Sequence, residues 1–561
     1  MGKVVVMNIK KEITDLNVEK SKEGFYQGFN QIVTVGAKAL IIALVLWAAV
    51  FSEAAARILS SMKIWSFANM GAWYIYVMGF FVVACILLAA IPSIGKVKLG
   101  NANDKPEFSR FSWISMMFGS GIGIGMLTYS TAEPLYHFAN NPDTIQGLTT
   151  AASADNITAS MKWAFFHWGF SAWGCYAIIG VCLAYFSYNK GLPLTIRSAL
   201  TPLFGRKLEG GLGHIVDISA VIATVLGVAV TVGFGVSQYA SGIYEVFGFE
   251  WLLNADKSPS TQGMLFALAI VMSLSILSAA SGVGKGIKWL SNINMWLSVA
   301  LITFFMVFGA TALSFTALFD GAIAYLANLP TLLFTYWQPS EVEPMKSLYS
   351  WQSGWWTIFI WAWWIAFAPF VGLFLARISK GRTIREFILG AMIVPTVVSC
   401  IWFAFLGGTA IDLELSGVAA GSISGAGQEA QLFMMLKLLV SETVYPIMTF
   451  LILVLLTTFL VTSADSAILC VNTISSVGVI PNKSKTHIVI WGVMFSAVIG
   501  VLLIAGGLGA IKSAMIIAAV PFSIIMALMV MSLIKALVRD RLVSIASRKE
   551  APEAISEEVS L

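Results

Sequence analysis

Apolar stretches of the chain carry residue types that could bind a small solute or an ion. SMMFGSGIGIGMLTYSTAEP (115–134) places Gly119, Gly121, Gly123 and Gly125 on alternate positions. A dinucleotide-binding loop needs a preceding strand and a soluble βαβ unit, and the flanking sequence offers neither. Two readings are left. The glycines either let helices pack closely through small residues, or interrupt a helix at mid-membrane, where freed backbone N–H and C=O groups can bind a solute or ion.

The second stretch is WQSGWWTIFIWAWWIAFAPFVGLFLARISKGRTIREF (351–387). Its tryptophans are too many and too deep for an interfacial belt alone. Trp361 and Trp364 are three apart, and Trp363 and Phe367 four apart, so a helix here offers aromatics on two adjoining faces. FFHWGFSAWGCY (165–176) adds Trp168, Trp173 and Tyr176 as a second wall. Any single ring can serve helix packing. Two clusters on different helices, beside a glycine-broken third, point to an aromatic box for a quaternary ammonium or sulfonium group, which ring faces attract by roughly 0.5–2 kcal/mol each. The expected solute is methylated and cationic at one end.

The third stretch, LTTFLVTSADSAILC (456–470), gathers Thr457, Thr458, Thr462, Ser463 and Ser466 near Asp465. Such hydroxyls can bond back to their own helix, and they are also hard oxygen ligands suited to Na⁺. No Lys or Arg lies inside the stretches 161–187, 212–249 or 441–475 away from their ends, which favours ion-coupled symport over ion-free exchange. Glu133 and Asp465 are intramembrane acids that a proton relay could use; alternatively Glu133, before Pro134, and Asp465, among hydroxyls, simply bond their neighbours. His137, His167, His214 and His487 have no ligand spacing, so no transition metal is expected. No G-x-x-x-x-G-K-[ST] motif supplies ATP chemistry, and nothing resembles a nucleophile elbow or a zinc-hydrolase motif. An enzyme is not expected.

The elements that must position these residues follow from composition. Of 561 residues, 58% are apolar and 11% charged, against roughly half and about a quarter in a soluble domain. A soluble enzyme and a single-pass receptor are excluded. Apolar stretches fall at about 36–58, 71–94, 110–139, 161–187, 212–249, 262–281, 288–315, 350–376, 386–411, 441–475, 487–508 and 511–538, and at about 20 residues per crossing they make twelve transmembrane spans. The net charge is only +5, with 34 Lys and Arg against 29 Asp and Glu, and no basic run is dense enough to bind nucleic acid. Cys85, Cys175, Cys182, Cys400 and Cys470 all lie in apolar segments and read as small buried hydrophobes.

Lys and Arg follow every even-numbered span: Lys96 and Lys98 after the second, Lys190 and Arg197 after the fourth, Lys285 and Lys288 after the sixth, Arg377 and Arg382 after the eighth, Lys483 and Lys485 after the tenth, Arg539 and Arg541 after the twelfth. The other connections are neutral to acidic, so the positive-inside rule puts both termini in the cytoplasm. Residues 1–35, charged and without a signal-peptide core, read as a cytoplasmic tail, and 539–561 as a short acidic one. Residues 317–336 are apolar yet hold Asp320 and Pro330, so an interfacial helix outside the bilayer is expected there.

Taken together, these motifs resemble the betaine/carnitine/choline transporter (BCCT) family. WAWWIAFAPFVGLFLARISKGRTIREF (361–387) is the most specific, with GIGIGMLTYSTAEP and VTSADS at the expected separations, and the similarity runs from about residue 30 to 540. The resemblance implies an all-α integral membrane fold with leucine-transporter-like inverted repeats, 110–315 (spans 3–7) and 350–538 (spans 8–12), behind two N-terminal spans in 36–94. It also implies a homotrimer in the cytoplasmic (inner) membrane of a bacterium, with the 317–336 helix contributing to the contact.

Carried over by position, the family's aromatic box falls on Trp168, Trp173, Tyr176 and Trp364, with Trp363 beside it and Phe367 where other members carry Trp or Tyr. One Na⁺ site maps onto Gly119, Ile122, Phe459, Thr462 and Ser463. A second maps onto Thr224 and Phe370, with Val228 in place of a hydroxyl residue. Gly125 stands where choline carriers often have an acid, which favours a zwitterion: glycine betaine first, then carnitine or dimethylsulfoniopropionate, whose carboxylate would be received by Gly121, Gly123 and Gly125. The function implied is a Na⁺-coupled importer of a methylated ammonium or sulfonium zwitterion for osmoprotection or catabolism, with Na⁺ as coupling ion and no other cofactor. The alternatives are a proton-coupled choline or betaine carrier, a precursor/product exchanger and, in another class, a channel or sensor.

Overall fold

The computed structural model describes residues 13–119, 123–281, 286–479 and 484–558. Among these residues there is no strand, only the isolated bridges Lys98–Thr383 and Leu253–Pro259. The principal helices are α1 (Gln31–Val50), α2 (Ser52–Ala90), α3 (Arg110–Gly119), α4 (Gly123–Ala139), α5 (Ile157–Trp168), α6 (Phe170–Ala184), α7 (Gly211–Phe247), α8 (Thr261–Ser281), α9 (Gly286–Phe308), α10 (Thr311–Phe334), α11 (Thr357–Ile378), α12 (Ile384–Leu415), α13 (Tyr445–Ser475) and α14 (Ser484–Glu558). Side-chain caps start two of them. Asn30 accepts the Val33 N–H at 2.9 Å before α1, and Thr383 accepts the Glu386 N–H at 3.1 Å before α12.

Among the described residues, ten helices are long and apolar enough to cross a membrane. They do not match the twelve expected stretches one to one. α3 and α4 are separately too short, and α9 offers only Asn292–Phe308 as an apolar helix. α14 counts once although Gly506 and Gly507 leave helical geometry and divide it. α10, expected as an interfacial helix, begins six residues earlier than its expected start and is apolar enough to be counted.

The first two spans also differ from expectation. The chain turns at Phe51 (φ −122°, ψ 49°), inside the first expected span, and continues as one 39-residue helix through 59–70, the expected connection. That connection holds no Gly or Pro to stop a helix, and Ser66 bonds back to the Met62 carbonyl at 2.8 Å. At roughly 58 Å, α2 is far longer than a bilayer core is thick. At the other end, α14 stays helical to Glu558 where a solvated tail is expected.

The basic connections lie together. Leu99 N–H donates to the Arg382 carbonyl at 2.7 Å, Asn189 Nδ2 to the Lys98 carbonyl at 2.7 Å, and Lys190 pairs with Asp540 at 2.7 Å. The exits of the second, fourth, eighth and twelfth expected spans therefore share one face of the molecule. Between the two faces, the most enclosed segments are Ala154–Asn189 and Met345–Ile378, both 94% buried along their apolar stretch, against 28% for α10. The two helical segments that carry the aromatic clusters are the centre of the bundle.

Candidate functional site

The aromatic wall begins at a break. Gly169 (φ −92°, ψ −135°) separates α5 from α6, and a Cβ there would lie 2.4 Å from the Phe165 carbonyl oxygen and 2.8 Å from the Tyr325 hydroxyl. Only glycine fits. Tyr325 of α10 reaches into the break and accepts the Phe170 N–H at 2.9 Å, satisfying a donor that the restarted helix leaves free. Trp168 thus ends one helix while Trp173 and Tyr176 stand on the next.

α11 completes the cage. Trp364 meets Trp168 edge-on with centroids 4.9 Å apart, and Tyr176 edge-on at 6.1 Å. Trp173 meets Tyr176 at 5.7 Å, Phe367 meets Tyr176 at 6.4 Å, and Trp363 stacks on Trp364 at 4.9 Å. All six rings are buried. The structure therefore brings together the aromatic residues carried over for the box, while Trp361 turns away to pack on Phe166.

Polar groups hold three of these rings by their edges. Trp168 Nε1 donates to Glu133 Oε2 at 2.6 Å, Trp364 Nε1 to the His167 carbonyl at 3.0 Å, and Trp363 Nε1 to Thr231 Oγ1 at 3.0 Å. Among the described residues the other two polar ring edges, Trp173 Nε1 and Tyr176 Oη, both buried, have no hydrogen-bond partner. A buried donor without an acceptor costs about 1–3 kcal/mol. An anionic or carbonyl group entering the cage would relieve that cost.

Behind Trp168 lies a cluster the sequence reading missed. Glu133 Oε1 is 2.6 Å from His167 Nδ1 and 3.2 Å from His137 Nε2, and His167 Nε2 is 3.0 Å from Thr357 Oγ1. All three residues are fully buried, with ligating atoms within 4.8 Å of one another. His137 and His167 come together here although the four histidines have no ligand spacing in sequence, while His214 and His487 lie elsewhere, beside Arg197 and Lys38. The i,i+4 spacing of Glu133 and His137 was the available signal; His167 joins only because α5 packs beside α4. The set could hold a metal by atom type, but each Glu133 oxygen already accepts from a ring N–H or faces a histidine nitrogen, an arrangement that fixes Trp168 and His167 in place.

The glycines behave differently from the expectation of one unwound run. α3 ends at Gly119 and α4 resumes at Gly123, while Gly121 and Ile122 lie outside the described residues. Gly123 and Gly125 are helical, and a Cβ on them would lie 2.1 Å from the Phe459 ring and 2.5 Å from Trp168 Cη2. Both are flat seats for aromatic rings.

Phe459 of α13 consequently packs against the first residue of α4, with Thr462 and Ser463 on the next turn of α13. Thr462 Oγ1 bonds back to the Thr458 carbonyl at 2.9 Å and receives Asn294 Nδ2 at 3.2 Å. On α7, Thr224 Oγ1 bonds back to the Ala220 carbonyl at 2.8 Å. Gly227 lets this helix touch the Ala366 backbone, where a Cβ would come within 2.8 Å, so the turn holding Thr224 and Val228 lies against the α11 turn before Phe370. Asp465 accepts from the Ser278 and Ser466 hydroxyls.

Similarity to known proteins agrees with this architecture. A family model described as BCCT, betaine/carnitine/choline family transporter, matches residues 32–542. The chain is 38% identical over 481 residues to the glycine betaine transporter OpuD of Bacillus subtilis, covering 85% of this chain and 88% of that protein. It is 36% identical over 509 residues to the betaine/ectoine transporter LcoP of Corynebacterium glutamicum, covering 89% and 75%. It is also 36% identical over 488 residues to a glycine betaine transporter of Acinetobacter baylyi, covering 85% and 69%. The crystal structure of MhsT in complex with L-phenylalanine matches loosely, at 17% identity and a TM-score of 0.38 over 78% of this chain and 99% of that one. With ten long apolar helices among the described residues and the family and relatives it matches, the protein is a multi-pass membrane transporter and not an enzyme. The chain belongs to the betaine/carnitine/choline transporter family.

Proposed function

We propose that the protein imports a methylated zwitterion, glycine betaine before carnitine or dimethylsulfoniopropionate, across the cytoplasmic membrane of a bacterium by Na⁺ symport. The observation that carries this reading is the cage itself. Trp168, Tyr176 and Trp364 offer ring faces to a quaternary ammonium, while Trp173 Nε1 and Tyr176 Oη are buried donors without partners among the described residues, suited to the carboxylate at the ligand's other end. A plain cation uses only half of that arrangement. Relatives named as glycine betaine and betaine/ectoine transporters support the same substrate class.

The coupling ion in this reading is Na⁺, held between the start of α4 and the α13 turn of Phe459, Thr462 and Ser463, with Thr224 and Phe370 around a second position that Val228 leaves one hydroxyl short. Loading the first site requires Thr462 to turn its hydroxyl from the Thr458 carbonyl toward the ion. One observation favours a second reading. The buried Glu133, His137 and His167 cluster is a set of proton-exchanging groups in contact with the cage, and protons would then drive the cycle. In both readings the protein crosses the membrane twelve times with both termini cytoplasmic, α3–α9 and α11–α14 form two inverted repeats, and three copies associate through α10, whose Phe315, Phe319, Ile323 and Leu326 are exposed.

Reconstituted protein in liposomes tests this. Radiolabelled glycine betaine is expected to accumulate under an inward Na⁺ gradient and not under a pH gradient in Na⁺-free buffer. The reverse result selects the proton reading, and accumulation under neither overturns import by symport.

A further inference from the structure

A cation lines an aromatic cavity outside the cage, with no acid paired to it among the described residues. After the break at Gly506–Gly507, α14 restarts and delivers Lys512 five residues later. Its ammonium lies 4.8 Å from the Phe234 ring centroid and 5.0 Å from that of Phe359. Among the described residues it makes neither a hydrogen bond nor an ion pair. Glu429 and Lys63 are the charges that act on it from farther away, with opposite signs. Ring faces replace part of the lost hydration, but they do not neutralise the charge. A cation that pairs with none of the described residues inside a membrane protein marks a functional position by default.

The cavity it borders has a volume of about 340 Å³ and is lined by Tyr129, Trp351, Trp356, Phe359 and Gln428 besides Lys512. Gln428 belongs to the 416–430 connection, one of those that lack the basic residues of the other face. Tyr129 forms the inner end, because its ring also lies 5.6 Å from Trp168 and 5.8 Å from Trp363. Phe359 leads to the same place by stacking on Trp363 at 6.0 Å. The cavity therefore stops where the cage begins, with one layer of rings between them.

Aromatic faces beside a single lysine and an amide make a site for a molecule with a quaternary ammonium at one end and a carboxylate at the other. We propose that Lys512 is the carboxylate-reading group of an outer site that a zwitterion occupies before Tyr129 admits it to the cage. Lys512 thereby selects zwitterions over plain quaternary cations, whose charge it repels. This deepens the proposed function and rests on it.

The test uses full-length protein in proteoliposomes, with labelled glycine betaine as substrate and choline as competitor. Lys512→Met is expected to raise the betaine KM by about tenfold, the scale of one lost charge-assisted hydrogen bond, and to strengthen inhibition by choline. Lys512→Arg is expected to stay within a few-fold of the parent on both measures. Lys512→Gln keeps chain length and polarity, serves if the methionine variant misfolds, and must reproduce its effect. Equal responses of betaine and choline to the loss of charge, or an unchanged betaine KM, would overturn the proposal. If the unmodified protein takes up no methylated zwitterion at all, the substrate assignment itself falls, a result separate from any effect of Lys512.

Discussion

The indole N–H of Trp168 donates to the carboxylate of Glu133 at 2.6 Å, with both residues buried. Through this bond a polar cluster on α4 fixes the orientation of the ring that meets Trp364 edge-on. The same cluster reaches the second ring, because the His167 carbonyl that receives Trp364 Nε1 belongs to the residue whose Nδ1 lies 2.6 Å from Glu133. The angle between the two cage rings is thus set from behind, by groups that need not touch the ligand.

Glu133→Ala leaves Trp168 Nε1 and His167 Nδ1 without their acceptor. At about 1–3 kcal/mol for each buried group left unsatisfied, the variant is expected to lose thermal stability and to bind betaine more weakly. Glu133→Gln keeps an acceptor oxygen and is expected to fall between it and the parent. Thermal unfolding in detergent, paired with betaine titration, checks this; an alanine variant with parental affinity would show that the cluster does not set the cage.

Gly125→Leu drives a side chain into Trp168, where even a Cβ would be 2.5 Å from Cη2. Uptake is expected to vanish while membrane insertion is retained. Gly123→Leu should do the same through Phe459. Variants that keep transporting would mean that the rings can move away at little cost.

Gly507 (φ +61°, ψ −153°) has open space around it, so a side chain there meets strain but no clash. Gly507→Ala is expected to cost on the order of 1–3 kcal/mol in stability. Because Lys512 depends on this break, the betaine KM is expected to rise with it. Thermal unfolding and uptake kinetics on one preparation measure both effects.

Thr462→Ala combined with Ser463→Ala removes the α13 hydroxyls proposed to hold the coupling ion. The Na⁺ concentration for half-maximal uptake is expected to rise several-fold, or uptake to cease, with the protein still monodisperse. Unchanged Na⁺ dependence would place the coupling site elsewhere.

Most of the cage was legible because helical spacing alone puts Trp364 and Phe367 on one turn, and because aromatics recur three and five residues apart in 168–176. What sequence hides is how helices end and meet. A lone glycine inside an apolar run reads as tolerated, and nothing in FFHWGFSAW reveals that Tyr325, more than 150 residues away, fills the break at Gly169. The turn at Phe51 has no Gly or Pro to announce it. Glu133 and His167 are 34 positions apart and become partners only through packing of α5 on α4. Lys512 was not singled out in the sequence; that none of the described residues pairs with it is a property of the folded surroundings.

Betaine binding to the parent protein and to Trp364→Ala, followed by tryptophan fluorescence or calorimetry, tests the central claim most directly. Trp364 touches Trp168, Tyr176 and Trp363, so its loss removes a ring face and opens the cage. Affinity is expected to fall by about 1–3 kcal/mol, with Trp364→Phe retaining more of it. A folded Trp364→Ala protein that binds glycine betaine as tightly as the parent would contradict the assignment of the aromatic cage as the substrate site.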